Sequence, residues 1–196
     1  MIEQFIEWDK ELLLFLNSLN TPFLDFIMYW ISDKFIWIPF YLLLLILIIK
    51  KYKIRTIYVL VGVAILITLS DITSHYGFKE VFQCLRPCHN ESLKPYIHLV
   101  NNTCGGQYSF ISSHAANTFA LALYVIQTIG HKYKFIPPLI ILWACIVSYS
   151  RIYLGVHFPF DVLCGALVGS AFGLSIGKFF NFYYSKYVLK SDKQEY

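Results

Sequence analysis

Three short stretches of the chain combine basic side chains, histidines and a carboxylate: Lys79–Pro87, Ser112–His114 and Ser150–Asp161. Each stretch lies at the end of a strongly apolar segment. Their ionisable side chains include Lys79, Arg86, His114, Arg151, His157 and Asp161. Cations hold the oxygens of an anionic group such as phosphate, and histidines transfer protons to it or attack it. The pattern therefore indicates phosphate chemistry at a membrane surface.

The composition is that of an integral membrane protein. Of the 196 residues, 57% are hydrophobic and only 14% are charged, and the mean hydropathy is +0.56. A soluble domain carries about a quarter of charged residues. The apolar residues occur in long runs, which favours an all-α membrane protein. A nucleic-acid-binding protein is excluded, because no soluble face gathers lysine and arginine.

Five apolar runs each have about the length needed to cross ~30 Å of hydrocarbon as a helix, allowing for extensions into the headgroups. They are Phe35–Ile49, Ile54–Leu69, His114–Ile129, Phe135–Tyr149 and Pro159–Phe180. Before them, Gln4–Asn20 has the apolar spacing of an amphipathic helix at an interface, and Phe23–Ile31 is a second helical piece. The sequence predicts a bundle of five transmembrane helices with an N-terminal interfacial amphipathic helix. A sixth span is the alternative, disfavoured because the acidic and amide side chains before residue 26 would be costly in hydrocarbon.

A single membrane-embedded domain is expected over residues 1–196, with N-terminal interfacial helices in 1–34 and a helical bundle in 35–190. Its orientation follows from the basic segments Lys50–Arg55 and His131–Lys134 and the lysines from Lys178 to Lys193. Short basic segments next to spans remain in the cytoplasm. All three motif stretches then fall on the opposite, outward side of the membrane.

The spacing within each motif predicts its local geometry. Lys79 and Arg86 are seven residues apart, which would place them on one helix face about 10 Å apart along the axis, with the proline at 87 ending the helix. For Lys79 alone, a plain headgroup anchor is the alternative. Ser112 and Ser113 stand where a helix begins, as N-caps or as part of an anion-binding helix start. His114 follows in the first turn.

The third motif predicts a contact between a histidine and a carboxylate. Pro159 suits the first position of a helix. Asp161 lies four residues after His157, so its carboxylate can reach back to the imidazole. Such a contact fixes the tautomer of a catalytic histidine and stabilises its charged form.

In order and spacing, Lys79-x6-Arg86-Pro87, Ser112-Ser113-His114 and Ser150-Arg151-x5-His157-x3-Asp161 resemble the three-part signature of the type 2 phosphatidic acid phosphatase family. The resemblance covers roughly half of the chain. The first and third parts match fully. In the second, Ile111 replaces the usual proline and Ser113 the usual glycine, so we expect altered loop packing around unchanged chemistry.

The resemblance implies a role for each residue. His157 would be the nucleophile that forms a phosphohistidine, Asp161 would orient it, and His114 would be the general acid. The phosphate-binding residues would be Lys79, Arg86, Ser112, Ser113 and Arg151. No metal or other cofactor is implied, and the few acidic residues near the motifs agree with this.

The predicted function is a metal-independent lipid phosphate or diphosphate phosphatase acting at the outer membrane face. A membrane lipid is the expected partner, with undecaprenyl diphosphate or the lipid A class favoured over phosphatidic acid and phosphatidylglycerol phosphate. The small size and the outward site suggest a bacterial inner membrane, with the site facing the periplasm. Two alternatives are a lipid phosphotransferase that uses the same phosphohistidine step and a non-enzymatic lipid-phosphate binder.

Five cysteines divide into two groups. Cys145 and Cys164 lie inside apolar runs and are predicted to be core residues. Cys84, Cys88 and Cys104 lie in or beside one polar segment. In an oxidising compartment a Cys88–Cys104 disulfide is expected, and free thiols are the alternative. The polar segment from 88 to 108 would be either a lid over the site or a solvated connector.

Overall fold

The computed structural model describes residues 1–188, and every regular element in this part of the chain is helical. The helices are α1 Ile2–Ser18, α2 Pro22–Ser32, α3 Ile38–Tyr52, α4 Thr56–Ile72, α5 Glu80–Phe82, α6 Ser113–Val125, α7 Ile136–Tyr153 and α8 Pro159–Tyr183. A π-helical segment, Thr73–Lys79, joins α4 to α5, and α6 and α8 continue as π-helical turns over Ile126–Gly130 and Tyr184–Val188. The predicted all-α membrane fold is confirmed.

Three helical segments are long and apolar enough to cross a membrane: Lys34–Phe82, Ile136–Tyr153 and Pro159–Tyr187. The first contains both α3 and α4, which are separated at Lys53, a residue with a φ of 51°. The pair α1 and α2, bent by 115°, makes a fourth candidate if it is counted as one span. The less apolar α6 packs against α4, α7 and α8. The predicted spans correspond to α3, α4, α6, α7 and α8, and their number as true crossings stays a prediction.

A row of glycines lets α8 lie directly against α6. Gly165, Gly169, Gly173 and Gly177 recur every fourth residue and are all buried. A Cβ at Gly169 would overlap the Ala116 carbonyl group, and one at Gly165 would press on the Ser112 carbonyl oxygen. Small residues at this spacing allow two membrane helices to approach closely and gain van der Waals contact. This contact continues toward the helix starts that carry the second and third motifs.

Basic segments that were predicted to be cytoplasmic meet at one end of the bundle. Lys51 Nζ and Tyr52 Oη both donate hydrogen bonds to the Thr128 carbonyl oxygen, the latter at 2.9 Å. The end of α3 is thereby joined to the end of α6, next to residues 131–134. The lysines at 190 and 193, and the predicted domain boundary at 190, lie outside the described residues. The division at residue 34 stays a prediction.

A polar network ties the N-terminal helices to the loop between α5 and α6, residues 83–112, called the outer loop after its predicted side. Asn17 Nδ2 donates to the carbonyl oxygens of Tyr153, at 2.7 Å, and of His98, at 3.0 Å. Asp25 accepts a 2.7 Å hydrogen bond from Tyr153 Oη and lies 2.9 Å from His98 Nε2. The polar side chains that make a sixth span unfavourable therefore include two, Asn17 and Asp25, with hydrogen-bond partners at the C-terminal end of α7. These bonds hold α1 and α2 against the bundle.

Two local predictions were wrong. The helix expected to carry both Lys79 and Arg86 ends at Phe82, because Gln83 takes a left-handed conformation. The backbone of Arg86 is extended and its N–H donates to the Gln107 carbonyl, so pairing with the outer loop replaces the helix. The second error concerns Cys145, which is exposed on the surface of α7, where an apolar run faces the membrane instead of the core.

Candidate active site

A histidine–aspartate pair occupies the start of α8. His157 Nδ1 lies 3.4 Å from Asp161 Oδ2, and the two residues are 1% and 4% exposed. The same carboxylate oxygen accepts a 2.9 Å hydrogen bond from the Phe158 N–H and so caps the helix. The contact predicted from the four-residue spacing is present. With Nδ1 directed at the carboxylate, Nε2 is the ring nitrogen left for chemistry.

The surroundings of His157 keep its ring neutral. Burial lowers the pKa of His157 well below 6.5, and the nearby charges of Arg86, Arg151 and Lys79 lower it further. Desolvation and like charges both disfavour the imidazolium form. A neutral imidazole has the free lone pair that a nucleophile needs.

Two buried guanidinium groups approach this pair from different elements. Arg86 comes from the loop after α5, is 8% exposed, and donates through Nη1 to the Val156 carbonyl oxygen at 3.2 Å. Arg151 lies in the last turn of α7 and donates through Nη1 to Ser32 Oγ. Within residues 1–188 the Nε atoms of both arginines are buried and have no hydrogen-bond partner. Such forks suit the oxygens of a phosphate.

Lys79 and the start of α6 complete the cationic side of the site. Lys79 Nζ donates a 3.0 Å hydrogen bond to Ser113 Oγ. Ser112 is the N-cap of α6, and its Oγ accepts from the Ala115 N–H at 3.4 Å. The Ser112 N–H donates to the Asp161 carbonyl oxygen at 3.0 Å, which fixes the start of α6 against the start of α8.

The outer loop lies directly over Arg86. Cys88 and Cys104 form a disulfide with Cα atoms 6.0 Å apart. The next residue, Gly105, has a φ of 83° and packs against the Arg86 guanidinium, where a Cβ would stand 3.7 Å from Cζ. Leu93, Ile97 and Val100 bury their side chains beneath the loop. The segment thus packs on the bundle through a few apolar side chains, while most of its residues are exposed, and whether it acts as a lid stays a prediction.

His114 lies on the wall of a chamber. Its side chain is exposed to a cavity of about 300 Å³ that Ser113 and Ser32 also line. A second cavity of about 230 Å³ is lined by Arg151, Gly105 and, again, Ser32. Ser32, which accepts a hydrogen bond from Arg151 Nη1, therefore lies between the two cavities.

The sequence-predicted site residues converge, and the structure adds groups that the motifs do not include. Asn117 Nδ2 donates to Asp71 Oδ1 at 2.7 Å beside His114, one helical turn further along α6. The sequence could have indicated Asp71, because an ionisable residue at the end of an apolar run is a candidate functional group by default. The glycine row of α8, with its four-residue period, was a second signal.

The donor set around His157 suits an anion better than a divalent cation, since it has three cations and one carboxylate. Among residues 1–188, one group of potential metal ligands comes together, formed by Cys88, His89 and Cys104. Two of its three ligand atoms are the sulfurs of the disulfide.

Comparison with known proteins identifies relatives over most of the chain. The model of the PAP2 superfamily matches residues 55–184. A lipid A 4'-phosphatase of Bacteroides thetaiotaomicron is 37% identical over 172 residues, which cover 86% of this chain and 75% of the relative. A lipid A 4'-phosphatase of Porphyromonas gingivalis is 32% identical over 95% of this chain and 79% of its own length. An undecaprenyl-diphosphatase of Sulfolobus acidocaldarius is 33% identical over 86% of this chain and 76% of its own length.

Solved structures share the fold. A transmembrane PAP2-type phosphatidylglycerolphosphate phosphatase from Bacillus subtilis superposes with a TM-score of 0.66 at 18% identity, over 90% of this chain and 86% of that one. Aquifex aeolicus LpxE superposes with a TM-score of 0.61 at 25% identity, over 86% of this chain and 93% of that one.

Proposed function

This chain belongs to the PAP2 superfamily and is an integral membrane lipid phosphatase, and on that premise we propose that it removes a phosphate from a lipid at the outer membrane face through a phosphohistidine at His157. The observation that carries the proposal is the buried contact of 3.4 Å between His157 Nδ1 and Asp161 Oδ2. Binding a phosphate needs cations only. A neutral imidazole oriented by a carboxylate and surrounded by those cations is the arrangement that nucleophilic catalysis needs.

In the first half-reaction, His157 Nε2 attacks phosphorus as the bond from phosphorus to the leaving-group oxygen breaks. Asp161 accepts a hydrogen bond from His157 Nδ1–H and stabilises the charge that the ring acquires. Lys79, Arg86 and Arg151 hold the phosphoryl oxygens and stabilise the charge that develops there. His114 donates a proton to the leaving oxygen once the anionic phosphate, bound among the cations, stabilises the charged form of its ring.

In the second half-reaction, a water molecule attacks phosphorus of the phosphohistidine. His114 takes the proton of that water, and the phosphorus–nitrogen bond breaks to release phosphate and restore His157. The cavity beside Arg151 and Gly105 gives this water and the released phosphate a route on the outer side. No step requires a metal, because the three cations supply the positive charge.

For the substrate, we propose the lipid A class. Two relatives at 37% and 32% identity are lipid A 4'-phosphatases, and each match covers at least three quarters of the relative. Lipid A presents its phosphates at headgroup depth on the periplasmic side of an inner membrane. This depth agrees with the outward position that the basic segments predict for the site.

The decisive experiment is phosphate release by the purified chain in detergent containing EDTA. Lipid A, undecaprenyl diphosphate, phosphatidic acid and phosphatidylglycerol phosphate would be compared as substrates. We expect release from lipid A with EDTA present and none from His157→Ala. Loss of wild-type activity on chelation would contradict the metal-free mechanism.

The variant His131→Ala serves as the control for His157→Ala, because it removes an exposed histidine that does not line the site. Rapid quenching with phosphate-labelled substrate should trap a base-stable, acid-labile protein label in wild type and in His131→Ala. Label that persists in His157→Ala would contradict the assignment of the nucleophile.

A further inference from the structure

The chamber beside His114 is the place where the leaving group must lie. A general acid protonates the leaving oxygen from hydrogen-bond distance. His114 lines the chamber, whereas His157, Arg86 and Arg151 do not. The groups that line the chamber therefore contact the part of the substrate to which the phosphate is attached.

One wall of the chamber carries a carboxylate inside a membrane helix. Asp71 belongs to α4, within the apolar segment Lys34–Phe82, and its side chain is exposed to the chamber. Asn117 Nδ2 donates to its Oδ1 at 2.7 Å, which orients the carboxylate. A charged group at this depth is costly unless it has a function, and its remaining oxygen positions accept hydrogen bonds.

The opposite wall carries a buried donor. Trp143 lines the chamber, is 4% exposed, and packs edge-on against Trp37 at a centroid distance of 6.0 Å. Across the described residues 1–188, Trp143 Nε1 is buried and has no hydrogen-bond partner. Trp37 Nε1, in contrast, donates to the Ile31 carbonyl oxygen at 2.8 Å. An indole N–H without a partner costs free energy unless a ligand supplies the acceptor.

We propose that this chamber is a sugar subsite, in which Asp71 accepts a hydrogen bond from a ring hydroxyl, Trp143 Nε1 donates one to a ring oxygen, and the aromatic wall packs on the ring. The inference rests on the proposed phosphatase function and narrows its substrate to a phosphate ester of a lipid-linked sugar. The volume of about 300 Å³ falls at the lower end of the range of about 300–1,000 Å³ for ligand pockets, as a single ring requires.

A diphosphate fits the chamber less well. Its leaving group is itself a phosphate, which would stand beside the Asp71 carboxylate, and two like charges in a site of low dielectric repel each other. Lys34 at the rim supplies one cation, but it lies over the Phe35 ring, 5.2 Å from the centroid. A diacylglycerol leaving group offers no ring hydroxyl for Asp71. The chamber thus selects against both of these lipid classes.

The test compares substrates across variants of the full-length chain in detergent. The probes are a diacylated glucosamine 4-phosphate, phosphatidic acid of the same acyl length, and farnesyl diphosphate. For Asp71→Asn, the ratio of kcat/KM for the glucosamine phosphate to that for phosphatidic acid should fall by about tenfold to a hundredfold, as for a lost hydrogen bond to a charged group. Trp143→Phe keeps the ring and removes the N–H, and the same ratio should fall by about fivefold to tenfold.

Two variants provide controls. Glu80→Gln removes an exposed carboxylate in the same helical segment, outside the chamber, and Trp8→Phe removes an indole N–H on the exposed face of α1. Both should keep the wild-type ratio. A loss of equal size on both substrates in Asp71→Asn and Trp143→Phe, or no loss on either, would overturn the sugar subsite. Wild-type hydrolysis of phosphatidic acid without hydrolysis of the glucosamine phosphate would also overturn it and leave the phosphatase standing, whereas no release from any lipid would contradict the proposed function itself.

Discussion

Lys79 Nζ donates a hydrogen bond of 3.0 Å to Ser113 Oγ and so joins the end of the π-helical segment after α4 to the first turn of α6. Ser113 stands where the resembled motif has glycine. The hydroxyl group therefore adds a contact that a glycine could not make, and it aims the lysine toward the start of α6, where a phosphate would lie.

A double-mutant cycle tests this coupling. Ser113→Ala should lower kcat/KM by about tenfold, because the lysine loses the acceptor that positions it. Lys79→Ala should lower it further. In the Lys79→Ala background, Ser113→Ala should have little additional effect, since the serine acts through the lysine. Additive losses would mean that Ser113 contacts the substrate independently.

The Asp161 carboxylate has two contacts that a substitution can separate. Asn at this position can still accept from the Phe158 N–H and cap α8, but it carries no charge to stabilise the His157 ring. Asp161→Asn should therefore keep the melting temperature near that of wild type and lower kcat by about 10²–10⁴-fold. Asp161→Ala, which removes both contacts, should in addition lower the stability by about 1 kcal/mol and melt earlier. Equal activity in wild type and Asp161→Asn would exclude a role for the charge.

The protonation of His157 can be observed directly. Burial and neighbouring cations lower its pKa well below 6.5, so the neutral ring persists at a pH where an ordinary histidine is charged. Because the unfolded chain binds this proton more readily, acidification through the usual histidine range should destabilise the fold at this site. Nitrogen-15 chemical shifts of labelled histidines at about pH 6, assigned with His157→Gln, should show a neutral imidazole. An imidazolium signal from His157 would contradict this prediction.

Spacing along the sequence accounts for much of the site. Ser112 as the N-cap of α6, Pro159 at the first turn of α8 and the contact of Asp161 with His157 all follow from positions along one helix. The helix end at Gln83 does not follow from local spacing, because it depends on pairing between Arg86 and Gln107, which lie 21 positions apart in the sequence. The chamber is likewise a product of tertiary packing, since its walls come from α2, α3, α4, α6 and α7.

The prediction that Cys145 is a core residue was wrong, because its side chain is on a protein surface that faces the membrane. Cys145 lies in an apolar run, and in a soluble protein such a run points inward. In a membrane bundle, an apolar side chain is as stable on the lipid-facing surface of α7 as in the protein interior, because hydrocarbon and protein interior are alike in polarity. Hydrophobicity alone therefore locates the helices but does not say which side of each faces a neighbour.

The disulfide should stabilise both the outer loop and the site. Cys88 and Cys104 are 16 positions apart, and closing a loop of this size contributes about 3 kcal/mol. Replacing both cysteines with serine should lower the melting temperature and raise KM, because Gly105 next to Cys104 packs on Arg86, which we propose binds the phosphate. Cys84→Ser is the matched control, since Cys84 is an exposed free thiol in the same segment. If treatment with a reductant leaves wild-type KM unchanged, the loop does not position Arg86.

The position of Asp161 should depend on how closely α8 packs against α6. Asp161 and Gly165 begin the same four-residue repeat that Gly169 continues. Gly169→Val would place a side chain against the Ala116 carbonyl group and push α6 away from α8. Overpacking of this kind costs about 1–3 kcal/mol. It should also loosen the bond from the Ser112 N–H to the Asp161 carbonyl oxygen, so kcat should fall along with the melting temperature.

Ala171→Val also enlarges a small side chain, but on the exposed face of α8, and should leave both kcat and the melting temperature near wild type. Equal behaviour of the two variants in thermal melts and phosphate release would show that the helices do not need close contact at Gly169.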